Sequence, residues 1–318
     1  MTRRDFHRRL GAGAMGLFVS GVARGASKPL RGIFPIAQTP FTESGKLDLD
    51  ALAAEVKFVD RTGAHGFVWP QLASEYATLT EAERLAGAEA ILAAGKGLRP
   101  AIVIGVQAPD VQTAARYARH AEKASADALI SLPPASQKDE AVLEYYRQIG
   151  RATPLPLFAQ AVGNMSVDLL ARMAQAVPTL GYVKDEAGGS PLARIGPLRE
   201  RSRLEVFTGA HGQTLIDEMQ RGSAGSMPAA SFADIYAACW DLWHAGRRKE
   251  AMDVFGQASM LIGEALAYGI PGLKYILHVR GVFPTYAVRT ADGRVPLDEA
   301  GKQTLREMLD FVKPRLKA

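Results

Sequence analysis

Residues 181–189 read GYVKDEAGG and place Lys184 at the end of a short apolar run, before two acids and a glycine turn. Lysine is rarely buried, because its ammonium group loses hydration inside a protein. Lys184 could therefore be a surface residue whose ammonium group reaches water. It could also be a desolvated amine that attacks a ketone and forms a Schiff base. A buried ion pair that serves stability alone is the third interpretation.

The fold that surrounds Lys184 bears on this choice. From residue 32 onward, short β-rich runs alternate with amphipathic helical segments. The number of strand–helix units, eight, and the length of chain that holds them predict an α/β protein with a (β/α)8 TIM barrel over residues 32–245. A C-terminal helical appendage, residues 246–318, is predicted to pack on it. A doubly wound open sheet shares the local alternation, but TPFTESGKLD after the first strand lacks the glycine fingerprint of a dinucleotide-binding sheet. The eight predicted strands are 32–39, 66–71, 101–106, 128–133, 156–161, 181–184, 204–209 and 223–229.

Lys184 closes the sixth predicted strand. Active sites of such barrels lie at the carboxyl ends of the strands. The aliphatic stem of Lys184 would then lie in the barrel, with its amine facing the central pocket. This position favours covalent chemistry, because a desolvated amine is more easily deprotonated and the neutral form is the nucleophile.

Four motifs in order resemble the dihydrodipicolinate synthase and N-acetylneuraminate lyase family of class I, Schiff-base-forming aldolases. They are TPFTESGKLDLDAL, ASEYATLTEAER, YVKDEAGG and GSAGSMPAASFAD, and the resemblance covers nearly all of residues 32–315. It implies that Lys184 condenses with pyruvate or a related 2-oxo acid. It also implies a homotetramer or homodimer. We expect no cofactor. We also expect no metal, because the histidines are scattered without carboxylates at ligand spacing.

The chain departs from the family pattern around the lysine. The signature loop, residues 71–75, reads QLASE and lacks the two threonines of the family while keeping the glutamate. Alignment places Ala159 at the proton-relay tyrosine, Ala135 at a second tyrosine and Asn164 at the carboxylate-binding arginine. A proton-transfer group is worth about a hundred- to ten-thousand-fold in rate. Another residue must supply it, or the reaction is slow, altered or lost.

The replacement candidates for proton transfer are Tyr76, Glu75, Gln160 and His211. Tyr76 fits a packed aromatic side chain equally well, and His211 fits a capping role. Glu75 is expected to bond loop amides. The predicted site contains Lys184 and the possible acid–base residues Tyr76 and His211, with substrate contacts from Ala73, Ser74, Glu75, Gln160, Gly225 and Ser226.

Three further residues are predicted to have no catalytic role. Strand alternation turns Asp185 away from the pocket. Lys274 is interpreted as a surface or interface cation on an appendage helix. Cys239 lies in the apolar stretch IYAACWDLW and is interpreted as a buried, inert thiol.

The sequence therefore predicts a lyase, aldolase or dehydratase that acts through Lys184 on a pyruvate-type 2-oxo acid or on a sugar-acid or aromatic adduct. The alternative is a non-catalytic periplasmic binding protein on the same barrel. A tyrosine, histidine or acid within hydrogen-bond reach of the Lys184 amine would distinguish the enzyme from the binding protein.

The N-terminal segment, residues 1–26, resembles a twin-arginine export signal. Arg3 and Arg4 precede Asp5 and Phe6, and a glycine-rich apolar run follows that is too short for a stable membrane span. A disordered extension of a cytoplasmic protein is the alternative to periplasmic export. Without this segment the chain has 33 basic and 32 acidic residues, which leaves no basic face for nucleic acid.

Overall fold

The computed structural model describes residues 28–135, 138–188, 191–293 and 295–318, so the predicted export segment, 1–26, lies outside the described residues. In the described part, eight parallel strands pair in the order β1-β8-β7-β6-β5-β4-β3-β2. Ile36 forms parallel bridges to Val68 and to Ala229, and these bridges connect the two ends of the sheet. The predicted (β/α)8 barrel is confirmed. The strands are β1 Gly32–Ile33, β2 Gly66–Trp69, β3 Ala101–Gly105, β4 Ala128–Ser131, β5 Leu157–Ala161, β6 Leu180–Asp185, β7 Glu205–Thr208 and β8 Gly225–Ser226.

The helices between the strands begin at polar caps that the sequence supplies. Asp48 accepts a hydrogen bond from the Ala51 amide at 2.9 Å, and Thr80 and Glu83 form a reciprocal capping box. The helices of the barrel are α1 Leu49–Thr62, α2 Glu81–Ala94, α3 Val111–Lys123, α4 Asp139–Ala152, α5 Val167–Ala176, α6 Leu192–Arg201, α7 Leu215–Gln220 and α8 Ala233–His244. No helix in the described ranges is long and apolar enough to cross a membrane.

The C-terminal helices continue the packing of the barrel. They are α9 Arg248–Ala267, α10 Gly269–Val279 and α11 Glu299–Val312. One apolar cluster joins Leu261 of α9 and Leu305 of α11 to Ile235 of α8 and Ile33 of β1. The appendage therefore shares a core with the first and last units of the barrel.

Alternation along β5 and β6 separates an interior face from an outer face. Phe158 of β5 stacks on Tyr182 of β6 with ring centroids 4.4 Å apart, and both rings contact Phe207 inside the barrel. Two residues further along, Gln160 pairs with Lys184 in the strand register. Because residues two apart share a face, Lys184 and Gln160 lie on the interior face, one layer above these aromatic rings.

Close packing inside the barrel explains why residue 225 is glycine. A Cβ on Gly225 would lie 2.2 Å from the Gly32 carbonyl oxygen and 2.3 Å from the Phe207 ring. We expect Gly225→Ala to lower the free energy of unfolding by about 1–3 kcal/mol or more, because the neighbouring strand cannot move aside. Urea denaturation measures this change.

Gly256 on α9 is the matched control, since a Cβ there meets nothing within 4 Å. Gly256→Ala should raise the free energy of unfolding by roughly 0.5–1 kcal/mol through helix propensity. Equal unfolding midpoints for Gly225→Ala and the wild type would show that the β1–β8 contact is loose.

Candidate active site

Lys184 is buried at the carboxyl end of β6 and pairs with an acid. Its side chain is 6% exposed, and its Nζ lies 2.8 Å from Oε2 of Glu186. Lysine at this depth needs a partner, because an isolated ammonium loses too much hydration to remain charged. Lys184 is therefore a desolvated amine and not a surface lysine.

Glu186 is the residue of this site that the sequence analysis missed. Its Oε2 also accepts a hydrogen bond from Nε2 of Gln160 at 2.7 Å, and its Oε1 accepts one from the Ala210 amide at 3.2 Å. A Cβ on Gly209 would lie only 2.0 Å from this Oε1, so glycine is needed for the close approach. Strand alternation was the available signal, because Glu186 is two residues beyond Lys184.

The electrostatics of the site follow from burial and from the lysine. Burial raises the pKa of Glu186, but the Lys184 cation and the hydrogen bonds outweigh it and bring the net pKa below its usual value. For His211 burial acts in the opposite direction and lowers the pKa, because it disfavours the charged imidazolium, and the Lys184 charge lowers this pKa further. At neutral pH the site therefore holds an ionised Glu186 and a neutral imidazole.

The amine opens into a cavity of about 380 Å³. Predicted site residues that line it are Lys184, Ala73, Glu75, Tyr76 and His211. The rest of the wall is largely apolar with a few polar side chains, namely Ile36, Leu72, Ala77, Thr78, Glu186, Met227, Pro228, Ala229, Ile270, Thr290 and Asp292. Such a mixture suits a small organic ligand.

Three residues of the predicted substrate set have other contacts. The Ser74 hydroxyl donates to the Ala37 carbonyl at 2.5 Å and accepts from the Gln71 amide at 3.0 Å. The Ser226 hydroxyl lies 3.1 Å from the Thr208 hydroxyl, which in turn bonds Glu218. Gly225 lies in the packed barrel interior. None of the three lines this cavity, and neither does a fourth member of the set, Gln160.

The position beside the lysine on β5 is occupied by Gln160. Ala159, to which alignment assigned the relay tyrosine, packs in the cluster between the sheet and the helices with Tyr146 and Leu170. The β5 side chain on the same face as Lys184 is Gln160, which reaches Glu186.

Asp185 behaves as the alternation predicts. Its carboxylate accepts a hydrogen bond from Nε of Arg194 at 2.7 Å, on the outer side of the strand.

Cys239 is buried, and burial raises the pKa of its thiol to about 12. In the described part of the chain, no group of three or more histidines, cysteines and acids could hold a metal ion.

Lys274 is not the surface cation that the sequence suggested. It is fully buried on α10, where its Nζ forms an ion pair with Oε2 of Glu75 and lies 4.4 Å from the Phe41 ring centroid. The sequence interpretation was wrong because the acid is 199 residues away along the chain. A carboxylate so distant in sequence leaves no local pattern.

Glu75 bonds amides, as expected, but those of a distant segment. Its Oε1 accepts hydrogen bonds from the amides of Arg289 and Thr290, both at 2.7 Å. The Arg289 guanidinium binds Glu83 and the Gly45 carbonyl. We call residues 285–292 the strap. These contacts hold it against the barrel, so that Thr290 and Asp292 become part of the cavity wall.

The fold and this geometry define a class: (β/α)8-barrel proteins with a buried amine at the carboxyl end of the sixth strand. The chain belongs to the dihydrodipicolinate synthetase family, whose model matches residues 29–312. The predicted family is thereby confirmed.

Individual relatives are lyases. The chain is 28% identical over 299 residues to the L-2-keto-3-deoxyarabonate dehydratase of Azospirillum brasilense, covering 89% of this chain and 94% of the relative. It is 26% identical over 231 residues to a probable 2-dehydro-3-deoxy-D-pentonate aldolase of Escherichia coli, covering 69% and 76%. The solved dihydrodipicolinate synthase of Rhodopseudomonas palustris superposes with a TM-score of 0.79 at 26% identity, covering 88% and 97%. These relatives support a lyase function of the class I aldolase type.

Removal of the Lys274 charge should strongly destabilise the fold. Lys274→Met leaves the Glu75 carboxylate buried without its cation, and we expect the free energy of unfolding to fall by about 3–5 kcal/mol. The double variant Glu75→Gln with Lys274→Met should recover much of this loss, because no unpaired charge remains. Thermal and urea unfolding of the wild type, Lys274→Met and the double variant measure these changes in the free energy of unfolding.

Lys302→Met is the control, because this lysine pairs with an exposed Glu299 on α11 and should change stability little. If Lys274→Met unfolded at the same urea concentration as Lys302→Met, the ion pair would not stabilise the strap.

Proposed function

We propose that the protein is a Schiff-base lyase in which Lys184 condenses with the ketone of a 2-oxo acid. The observation that carries this proposal is the Lys184 amine, which is buried in the cavity wall 2.8 Å from an acid. An acid within hydrogen-bond reach of the amine was the feature expected of an enzyme and not of a binding protein.

The chemistry needs a lysine that can lose its proton and a pocket that excludes bulk water. The Lys184 side chain is nearly inaccessible to solvent, and Oε2 of Glu186, 2.8 Å from Nζ, is positioned to receive the proton. An ion pair for stability alone would not require an adjoining cavity of about 380 Å³.

For the substrate we propose a short, unbranched 2-oxo acid derived from a sugar. The relatives named above act, by their names, on 2-keto-3-deoxyarabonate and on 2-dehydro-3-deoxy-D-pentonate. The residues aligned with the second tyrosine and the carboxylate-binding arginine of the synthases, Ala135 and Asn164, are exposed and lie outside the wall of this cavity. This favours a catabolic dehydratase or aldolase over a synthase of the lysine pathway.

Reductive trapping tests the Schiff base. Borohydride with pyruvate, or with a 3-deoxy-2-oxo sugar acid, should add the mass of the reduced adduct to the intact protein. Peptide mapping should locate the adduct at Lys184, and Lys184→Ala should abolish it. Lys28→Ala, at the opposite end of the barrel, is the control and should leave trapping unchanged.

A folded wild-type protein that forms no adduct with any 2-oxo acid would contradict the proposal. The binding-protein alternative would then be preferred.

For localisation and assembly we propose twin-arginine export to the periplasm and a homodimer or homotetramer. The export proposal rests on the residues of segment 1–26 alone. The assembly proposal draws support from exposed apolar side chains on the C-terminal helices, Met252 and Met260 on α9 and Phe311 on α11. Light scattering in solution reports the assembly state.

Paired substitution of Arg3 and Arg4 by lysine should retain the unprocessed chain in the cytoplasm of a bacterial host, whereas the wild-type chain should reach the periplasm in shortened form. The same exchange at Arg8 and Arg9 is the control and should still permit export. A wild-type chain found only in the cytoplasmic fraction would contradict the export proposal.

A further inference from the structure

We propose that Glu186 is the acid–base catalyst of this Schiff-base chemistry, an inference that rests on the proposed function of Lys184. Its Oε2 lies 2.8 Å from the Lys184 Nζ, and its side chain is 23% exposed where it lines the cavity. A substrate carbon bonded to Nζ would therefore lie next to this carboxylate. Within the described residues, Glu186 is the one side-chain acid within hydrogen-bond distance of the amine.

The carboxylate is held in one orientation by contacts on both oxygens. Gln160 Nε2 donates to Oε2 at 2.7 Å, and the Ala210 amide donates to Oε1 at 3.2 Å. The ionised carboxylate also fixes the Gln160 amide, since a flipped amide would place two oxygens together. Preorganised groups of this kind lower the barrier of a proton transfer, because they need no rearrangement during the reaction.

Gln160 has a second polar atom that the described residues leave unused. Its Oε1 is buried and has no hydrogen-bond partner among them. A buried acceptor without a partner is costly and usually has one in the working state. The contact that assigns Gln160 a role is the one from its Nε2 to Glu186, so Gln160 is a positioning residue for that carboxylate.

The loop that binds Glu186 has a strained backbone. Ala210 and His211 adopt left-handed conformations with φ of 46° and 56°, which residues other than glycine rarely do. The Tyr236 hydroxyl donates to the His211 carbonyl at 2.6 Å and holds this turn. The turn directs the Ala210 amide at the carboxylate, and strain of this kind is typical of functional loops.

The proton transfers can be written so that every atom is accounted for. Glu186 takes a proton from the Lys184 ammonium, and the neutral amine adds to C2 of the 2-oxo acid as the carbonyl electron pair moves to oxygen. Glu186 returns that proton to the oxygen, and the carbinolamine forms. Glu186 then takes a proton from the nitrogen and gives it to the hydroxyl, which leaves as water when the nitrogen lone pair forms the C=N bond.

The same carboxylate, now ionised again, can remove a proton from C3. The C3–H electron pair becomes the C2=C3 bond of the enamine, and the C=N pair returns to nitrogen. Glu186 can serve both in Schiff-base formation and in removal of the C3 proton, because its proton affinity depends on whether the nitrogen beside it is charged. The Lys184 cation lowers the pKa of Glu186, so the carboxyl group holds a proton better when the nitrogen becomes neutral.

Glu186→Gln tests the inference with pyruvate as the probe. Two rates are measured: adduct trapping by cyanoborohydride, and exchange of the methyl protons in D₂O by NMR. Both should fall about a hundred- to ten-thousand-fold, because the amide cannot accept a proton. Glu186→Asp, which keeps a carboxylate, should recover part of both rates. Glu205→Gln is the matched control, at the exposed amino end of β7, and should exchange like the wild type.

The pH profile separates catalysis from support of the fold. Wild-type exchange should show an inflection at acidic pH where Glu186 becomes protonated, and Glu186→Asp should keep this inflection while Glu186→Gln loses it. The need for a neutral amine and the neighbouring His211 affect all three proteins alike. If folded Glu186→Gln exchanged the methyl protons within threefold of the wild-type rate, Glu186 would not be the catalyst and the role of Lys184 would stand. If the wild type formed no adduct at all, the Schiff-base proposal would fail and this inference with it.

Discussion

The buried ion pair between Glu75 and Lys274 is the constraint on which the architecture of the site depends. It links the loop after β2 to α10, and the same carboxylate binds two amides of the strap. Both charges are removed from water, so neither partner can be separated without leaving an uncompensated charge. Three segments of the chain are thereby held together at one edge of the cavity. Glu75, which the sequence placed near substrate, does line the cavity and also determines where the wall formed by the strap lies.

The reactive pair of the site has a different origin. Lys184 and Glu186 come from one strand end, and their partners come from β5 and from the loop after β7. Local sequence supplies the two charged groups, while the barrel supplies the desolvation and the hydrogen bonds. The aromatic layer of Phe158, Tyr182 and Phe207 closes the barrel beneath them.

Much of the fold was predictable from the sequence because its signals are local. All eight strands, the barrel and the position of Lys184 at a strand end follow from alternation of apolar runs and capped helices. The outward direction of Asp185 follows from strand alternation as well. Features that depend on distant residues were not predictable in this way, such as the burial of Lys274 by an acid 199 positions away. The β5 residue beside Lys184 was misplaced by one position. Alignment matches residue types along the chain, whereas the strand register determines that Gln160, and not Ala159, faces inward.

The strap also bears on the order in which the protein is made. The eight strands and their helices are complete by residue 244, whereas Thr290 and Asp292 of the cavity wall come from a segment that is synthesised later. A nascent chain with all eight strands would still have the Lys184 pocket open on one side. The unpaired Glu75 carboxylate would remain hydrated until α10 and the strap arrive. The pocket is therefore completed only after α10 and the strap have been synthesised, and a chain that is cut short directly after the barrel would have the nucleophile without its full enclosure.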